Sequence, residues 1–294
     1  ASNYIIIKKE GTLTVTSAQT PDEPEEPDEP DKPSEQPKPS KPARPEKPSQ
    51  PEHPNRPTLT KDHVAYIIGY ADGTVRPNNL ISRAEVTTIF FRLLSDESRS
   101  EFWSQTNPYS DVSRNLWCNN AISTLTNAGI ILGYNDGTFK PDAPITRAQL
   151  AAIAVRFSTV IYDGDSTFND VPSSHWASRY IALAEYLGWI NGYRDNTFKP
   201  DQYITRAEAI TLINRVLERD VEEEYMLPGM ITWIDNPPYT WCYEAIQEAT
   251  NSHDYTRTDK QSPEHDFNYE AWLRINPVPN WAGLEREWST ANSK

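Results

Sequence analysis

Three arginines are the residues here whose type and spacing point most directly to chemistry. Arg83 in "ISRAE", Arg147 in "ITRAQ" and Arg206 in "ITRAE" each stand one step inside the start of a predicted helix. The helix dipole makes that end partially positive, so a cation there is mildly unfavourable. The chain nevertheless makes the choice three times. A guanidinium beside free helix N–H groups is a receptor for a carboxylate or phosphate, which it can grip through two parallel bonds. The competing reading is a salt bridge to a nearby acid. The flanking residues need no ligand: Ser82, Thr146 and Thr205 are N-caps, and Glu85, Gln149 and Glu208 complete capping boxes three residues on.

The elements that position these arginines repeat. Gly69, Gly133 and Gly192 open "GYADGTVRP", "GYNDGTFKP" and "GYRDNTFKP", and the arginines keep the same two spacings. Each unit reads as a tight turn, an extended stretch, a proline and a helix. The "DG" of two copies becomes Asp195-Asn196 in the third, which predicts a positive φ at that position, since glycine and asparagine both tolerate it. Apolar residues follow at helical spacing: Val86, Ile89, Phe90, Leu93, Leu94; Leu150, Ile153, Ala154, Phe157; Ile210, Ile213, Val216, Leu217. Three helices with one apolar stripe each predict a shared core.

A second pattern places Trp six residues after Asp: Asp111 and Trp117, Asp170 and Trp176, Asp235 and Trp241. Two of these precede a turn glycine; the third lies at the far end, and the turn at Gly69 has none upstream. We read the repeat as cyclically permuted, with 231–250 filling the place before "AYIIGY". Three first halves and three second halves then close one mainly α, pseudo-threefold helical bundle of helix–loop–helix motifs. The alternative is a degenerate fourth repeat outside that body. Cys118 and Cys242 share one repeat position, held by Ala177 in the third copy, which predicts a small buried niche more readily than a disulfide.

Around this core, residues 1–18 alternate as a hairpin or the last strands of an upstream β domain. Residues 19–57 form a proline-rich linker with thirteen prolines mostly every third residue, the period of polyproline II. Residues 58–250 hold the repeats, and 251–294 are a Trp-rich extension predicted to pack on them through Trp272, Trp281 and Trp288. The formal charge of −14 argues against nucleic acid and anionic membranes as partners. No apolar run approaches the ~20 residues of a membrane helix. The opening at Ala1, without a basic-then-apolar leader, reads as part of a longer protein.

Taken together, the motifs resemble the S-layer homology domain: an aromatic two before Asp, Ala-Ile, Gly-Tyr-x-Asp-Gly-Thr-Phe-x-Pro and Ile-Thr-Arg-Ala-Glu, over about 62–250. Ser82 for Thr, Gln149 for Glu, Asn196 for Gly and the displaced half-motif depart from the pattern. The resemblance implies a non-catalytic extracellular anchor that binds secondary cell wall polysaccharide, commonly through a pyruvate-ketal sugar, in grooves between adjacent arms. It makes Arg83, Arg147 and Arg206 candidate carbohydrate ligands. They are joined by Asp111, Asp170 and Asp235, by Trp117, Trp176 and Trp241, and by Gly69, Gly133 and Gly192. Those aspartates could instead cap first helices, and those tryptophans could be core.

Rival classes are weaker. No nucleophile–His arrangement stands out for an enzyme, and the turn loops offer too few oxygens for calcium. A protein–protein docking module of an adhesin or scaffold is the main alternative, with other surface proteins as partners. His253, Asp254, His265 and Asp266 match no standard metal spacing, so neither a metal nor a cofactor is expected.

Overall fold

The computed structural model describes residues 5–9, 12–16, 56–263, 265 and 267–292. The proline-rich linker lies outside the described residues except at its last two positions. The chain divides into two compact units, Ala1–Gln36 and Pro37–Lys294. In the first, β1 (Ile5–Lys9) pairs antiparallel with β2 (Thr12–Thr16), Ile5 opposite Thr16 and Lys9 opposite Thr12.

The second unit is mainly helical. Helix α1 (Arg83–Arg92) is followed by α2 (Asp96–Phe102), α3 (Asn119–Asn127), α4 (Arg147–Val155), α5 (Ser178–Tyr186), α6 (Arg206–Val216) and α7 (Tyr243–Thr250). Strands β3 (Ser252–Gln261) and β4 (Asn268–Asn276) then form an antiparallel hairpin, and α8 (Trp281–Ala291) follows. Among the described residues no helix is long and apolar enough to cross a membrane.

Helices α1, α4 and α6 begin where the sequence places them because each carries a complete capping box. Ser82, Thr146 and Thr205 accept the N–H of Glu85, Gln149 and Glu208, whose side chains reach back to the cap N–H. The apolar stripes behind them meet in one core with Phe90, Phe139, Phe198 and the isoleucines 81, 145 and 204 fully or almost fully buried. Helix α3 lies against α1, α5 against α4, and α7 against α6.

The three isoleucines before the caps join the units. Ile145 N–H donates to Ile81 C=O at 3.0 Å, Ile204 N–H to Ile145 C=O at 3.1 Å, and Ile81 N–H to Ile204 C=O at 3.3 Å. The bonds form a closed cycle. Tyr66 and Ile67 N–H both donate to the Ala249 carbonyl at the end of α7, as Ile130 N–H does to Leu125 at the end of α3.

The extension after residue 250 was expected only to pack on the body; its hairpin had no clear sequence signal. Trp272 is buried with Val221, Met226 and Tyr243 in a small second core. Trp281 Nε1 donates to Ala65 C=O at 3.0 Å, and Trp288 stands edge-on to Phe91 with its ring 3.9 Å from the Arg99 guanidinium.

Candidate functional site

The first turn of each arginine-led helix presents no free N–H row. Arg83, Arg147 and Arg206 N–H donate to the carbonyls of Ala143, Gln202 and Asn79 at 2.9, 2.9 and 2.8 Å. The next N–H groups, of Ala84, Ala148 and Ala207, donate to Pro141, Pro200 and Pro77, and the third go to the caps. This corrects the sequence-based picture of helix N–H groups waiting for an anion: the loop of a neighbouring unit takes them.

The guanidinium groups share one bond and differ in the rest. Nε of Arg83, Arg147 and Arg206 donates to the carbonyls of Phe139, Phe198 and Val75 at 2.8, 2.8 and 3.1 Å. Each arginine therefore bolts its unit to the turn of another, which offsets the dipole penalty at its position. Beyond that bolt, Arg147 Nη1 pairs with Glu208 Oε1 and Arg206 Nη1 with Glu85 Oε1, both at 3.1 Å. The acid is the capping-box glutamate of the next unit. The residue equivalent for Arg83 is Gln149, whose Nε2 turns to the Tyr134 hydroxyl at 3.2 Å. Arg83 Nη2 instead reaches Leu132 C=O at 3.1 Å, and the guanidinium lies over the Phe139 and Tyr134 rings. Burial lowers its pKa, opposed by Tyr134, Tyr109 and Asp111. Among the described residues Arg83 makes no ion pair.

The aspartates cap no helix. Cys118, Ala177 and Cys242 occupy the N-cap positions of α3, α5 and α7 without a side-chain cap. Asp111 accepts the N–H groups of Phe139 and Lys140, Asp170 those of Phe198 and Lys199, and Asp235 those of Val75 and Arg76, all at 2.7–2.9 Å. The second donor in each pair is left-handed: Arg76, Lys140 and Lys199 have φ of 53°, 58° and 56°. A non-glycine residue there costs roughly 1–2 kcal/mol, so the carboxylate holds a strained turn in place. Upstream, Gly73, Gly137 and Asn196 take φ of 80°, 79° and 59°.

The turn glycines have a packing role. A Cβ at Gly69, Gly133 or Gly192 would meet the ring of Trp233, Tyr109 or Phe168 at 1.9–2.2 Å. These are the aromatics two before each Asp, packed against the glycine where a side chain would otherwise stand. The tryptophans six after each Asp stand on the surface: Trp117, Trp176 and Trp241 are 58 %, 55 % and 49 % exposed. That excludes core packing as their role.

The arginine-bearing turns and their aspartate clamps coincide with a known module. Residues 66–87, 108–151 and 167–210 match the family model described as S-layer homology domain. The chain carries an S-layer homology domain. It is 36 % identical over 224 residues to cell surface glycoprotein 1 of Acetivibrio thermocellus, covering 68 % of this chain and 9 % of that protein. It is 34 % identical over 202 residues to the cellulosome-anchoring protein of the same organism, 67 % of this chain and 44 % of the relative. An amylopullulanase of Thermoanaerobacterium thermosulfurigenes is 38 % identical over 160 residues, 51 % of this chain and 8 % of the enzyme. The chain thus spans less than half the length of each relative. The S-layer homology segments and these relatives support a cell-surface anchoring role with a cell-wall and surface location.

The matched segments stop short of the tail, where four buried residues that sequence reasoning missed come together: His63 ahead of the first turn, Glu248 on α7, His253 on β3 and Glu270 on β4. Only His253 had drawn notice in the sequence; Asp254 and His265 do not join it, and Asp266 lies outside the described residues. Cys118 and Cys242 are free and buried, and burial pushes both thiols up to about 11.

Proposed function

We propose that this S-layer homology domain anchors its protein non-covalently by binding an acidic, pyruvylated secondary cell wall polysaccharide, with Arg83 as the fork that receives the carboxylate. The supporting observation is that, among the described residues, the charge of Arg83 has no acidic partner. Gln149 stands where Glu208 and Glu85 neutralise the other two arginines. A ligand carboxylate at Arg147 or Arg206 would first have to displace an acid already in place. At Arg83 it would supply the missing one. The exposed Trp117, Trp176 and Trp241 offer aromatic faces for sugar rings.

The same reading treats the three arms as one pseudo-threefold, cyclically permuted body, with 231–250 supplying the first half-motif to the turn at Gly69. The bonds from Val75 and Arg76 to Asp235 support it. Residues 19–57 act as a polyproline spacer, and the chain itself is not catalytic, its repeated acids being spent on backbone N–H groups. At physiological ionic strength fields fade over about 8 Å, so an Arg pocket can attract an acidic glycan despite the charge of −14.

Pull-down on purified walls, with and without the secondary polymer, tests the proposal. A charged hydrogen bond contributes about 1.5–3 kcal/mol, so Arg83→Ala should weaken retention roughly ten- to hundredfold. Gln149→Glu should do nearly as much while keeping the capping box. Arg147→Ala and Arg206→Ala should act mainly on stability. Equal retention of wild type and Gln149→Glu, or full retention on stripped walls, would overturn it.

A further inference from the structure

We propose that His63, Glu248, His253 and Glu270 form a structural site for a divalent transition metal ion, zinc by its donor set, that ties the tail hairpin to the helical body. Each residue offers one ligand atom, and these atoms all lie within 4.8 Å of one another. His63 Nδ1 is 3.0 Å from His253 Nε2, 3.0 Å from Glu248 Oε1 and 3.4 Å from Glu270 Oε2, while His253 Nε2 is 3.4 Å from Glu248 Oε2. Ligands bound tetrahedrally at 2.0–2.1 Å stand about 3.3 Å apart. Four of the observed separations, 3.0–3.4 Å, lie close to that spacing, and Glu248 faces the two imidazoles through different oxygens.

The side chains are aimed but unsatisfied. All four residues are at most 6 % exposed, yet Glu248 Oε1 and both Glu270 carboxylate oxygens have no hydrogen-bond partner. Buried charges of this kind are found paired or coordinated to metal. Arg257 Nη2 comes within 3.0 Å of Glu270 Oε1 without hydrogen-bond geometry, on the oxygen other than the one facing His63. The buried Arg219, which bonds the Asp62 carbonyl through Nη2, is the other nearby cation, and its Nη1 has no partner. With two arginines beside the two carboxyl groups, an ion of charge +2 has to be held by coordination rather than by excess negative charge.

The surroundings supply what a metal site needs. His253 Nδ1 lies 2.9 Å from Asn251 C=O, so it carries the proton and leaves the Nε2 lone pair facing the cluster. Trp272 Nε1 donates to Glu248 Oε2 at 3.2 Å, and the His253 and His63 rings stack on Trp272 and Tyr255. A cavity of about 440 Å³ bordered by Asp62, His63, His253 and Tyr255 lies against the two imidazole-bearing residues. Two imidazoles with two carboxylates suit zinc and neighbouring first-row ions, whereas calcium takes six to eight oxygens. Four protein ligands leave no open position, which marks a structural site.

The test takes the full chain, stripped with a chelator and titrated with zinc chloride by calorimetry, with metal content and melting temperature measured in parallel. One equivalent should bind and raise the melting temperature. Cobalt(II) should give the intense visible absorption of tetrahedral coordination. Glu270→Gln keeps the shape of the side chain and removes its charge, and His63→Gln removes a ring ligand. Each should weaken zinc at least about tenfold and abolish the zinc-dependent melting shift, while Glu270→Gln leaves the metal-free protein as stable as wild type or more so. A hydrogen-bonded polar cluster with no ion predicts sub-stoichiometric zinc and the same melting temperature with and without it. Either that result or undiminished binding in Glu270→Gln would overturn the proposal.

Discussion

Replacing Trp281 by alanine should lower the unfolding free energy by about 3–5 kcal/mol. The indole is buried to 5 % exposure at the start of α8, and its N–H serves the carbonyl of Ala65, itself fully buried. The Arg92 guanidinium lies 5.2 Å from the ring. Truncation removes the largest apolar group at that contact, opens a cavity and orphans a buried acceptor, which adds about 1–3 kcal/mol if water does not reach it. Trp281→Phe separates the parts: it fills most of the volume and loses only the bond, so it should cost less than half as much. Urea denaturation with an unchanged slope checks both. A loss below about 1 kcal/mol for the alanine variant would show that α8 contributes little to the stability of the body.

Asp235→Ala should be nearly as damaging, by about 2–4 kcal/mol, because two charge-assisted bonds of roughly 1.5–3 kcal/mol each are lost and water recovers part. Its carboxylate takes the N–H groups of Val75 and Arg76, 160 and 159 positions away, and Arg76 is left-handed. Asp235→Asn keeps one acceptor oxygen and should lose about half. At 2–4 °C per kcal/mol for a domain of this size, thermal melting resolves the series. If Asp235→Ala melts with the wild type while Asp170→Ala does not, the displaced half-motif does not support the first turn in solution.

Much of this was legible because repetition exposes geometry. Glycine giving way to Asn196 announced a positive φ, and the boxes at Ser82, Thr146 and Thr205 announced where helices begin. The roles of Asp111, Asp170 and Asp235 were not legible. A carboxylate before a helix reads locally as a cap, and only the tertiary structure brings a strained turn from elsewhere within reach. The partner of each arginine was hidden for the same reason: Glu208 serves Arg147 and Glu85 serves Arg206 across units. Gln149 was visible as a departure, but as a cap it is neutral, and its effect on Arg83 appears only when the units are joined. The tail was the least readable. "SHDYTRTDKQ" lacks the apolar alternation of a strand, since only its first residues are buried. His63 and Glu270 meet across 207 positions, which no spacing rule spans.

The cycle of Ile81, Ile145 and Ile204 also dictates an order of events during synthesis. Ile81 cannot complete its backbone pairing until Ile204 has been made, and the turn after Gly69 waits for Asp235. No prefix of the sequence ending before Asp235 can therefore form the finished body. Long-range closure of this kind slows folding, because the chain loses its freedom before the distant contacts repay it. Partial chains of this design therefore lack both the closed cycle and the clamp on the first turn until Asp235 has been made.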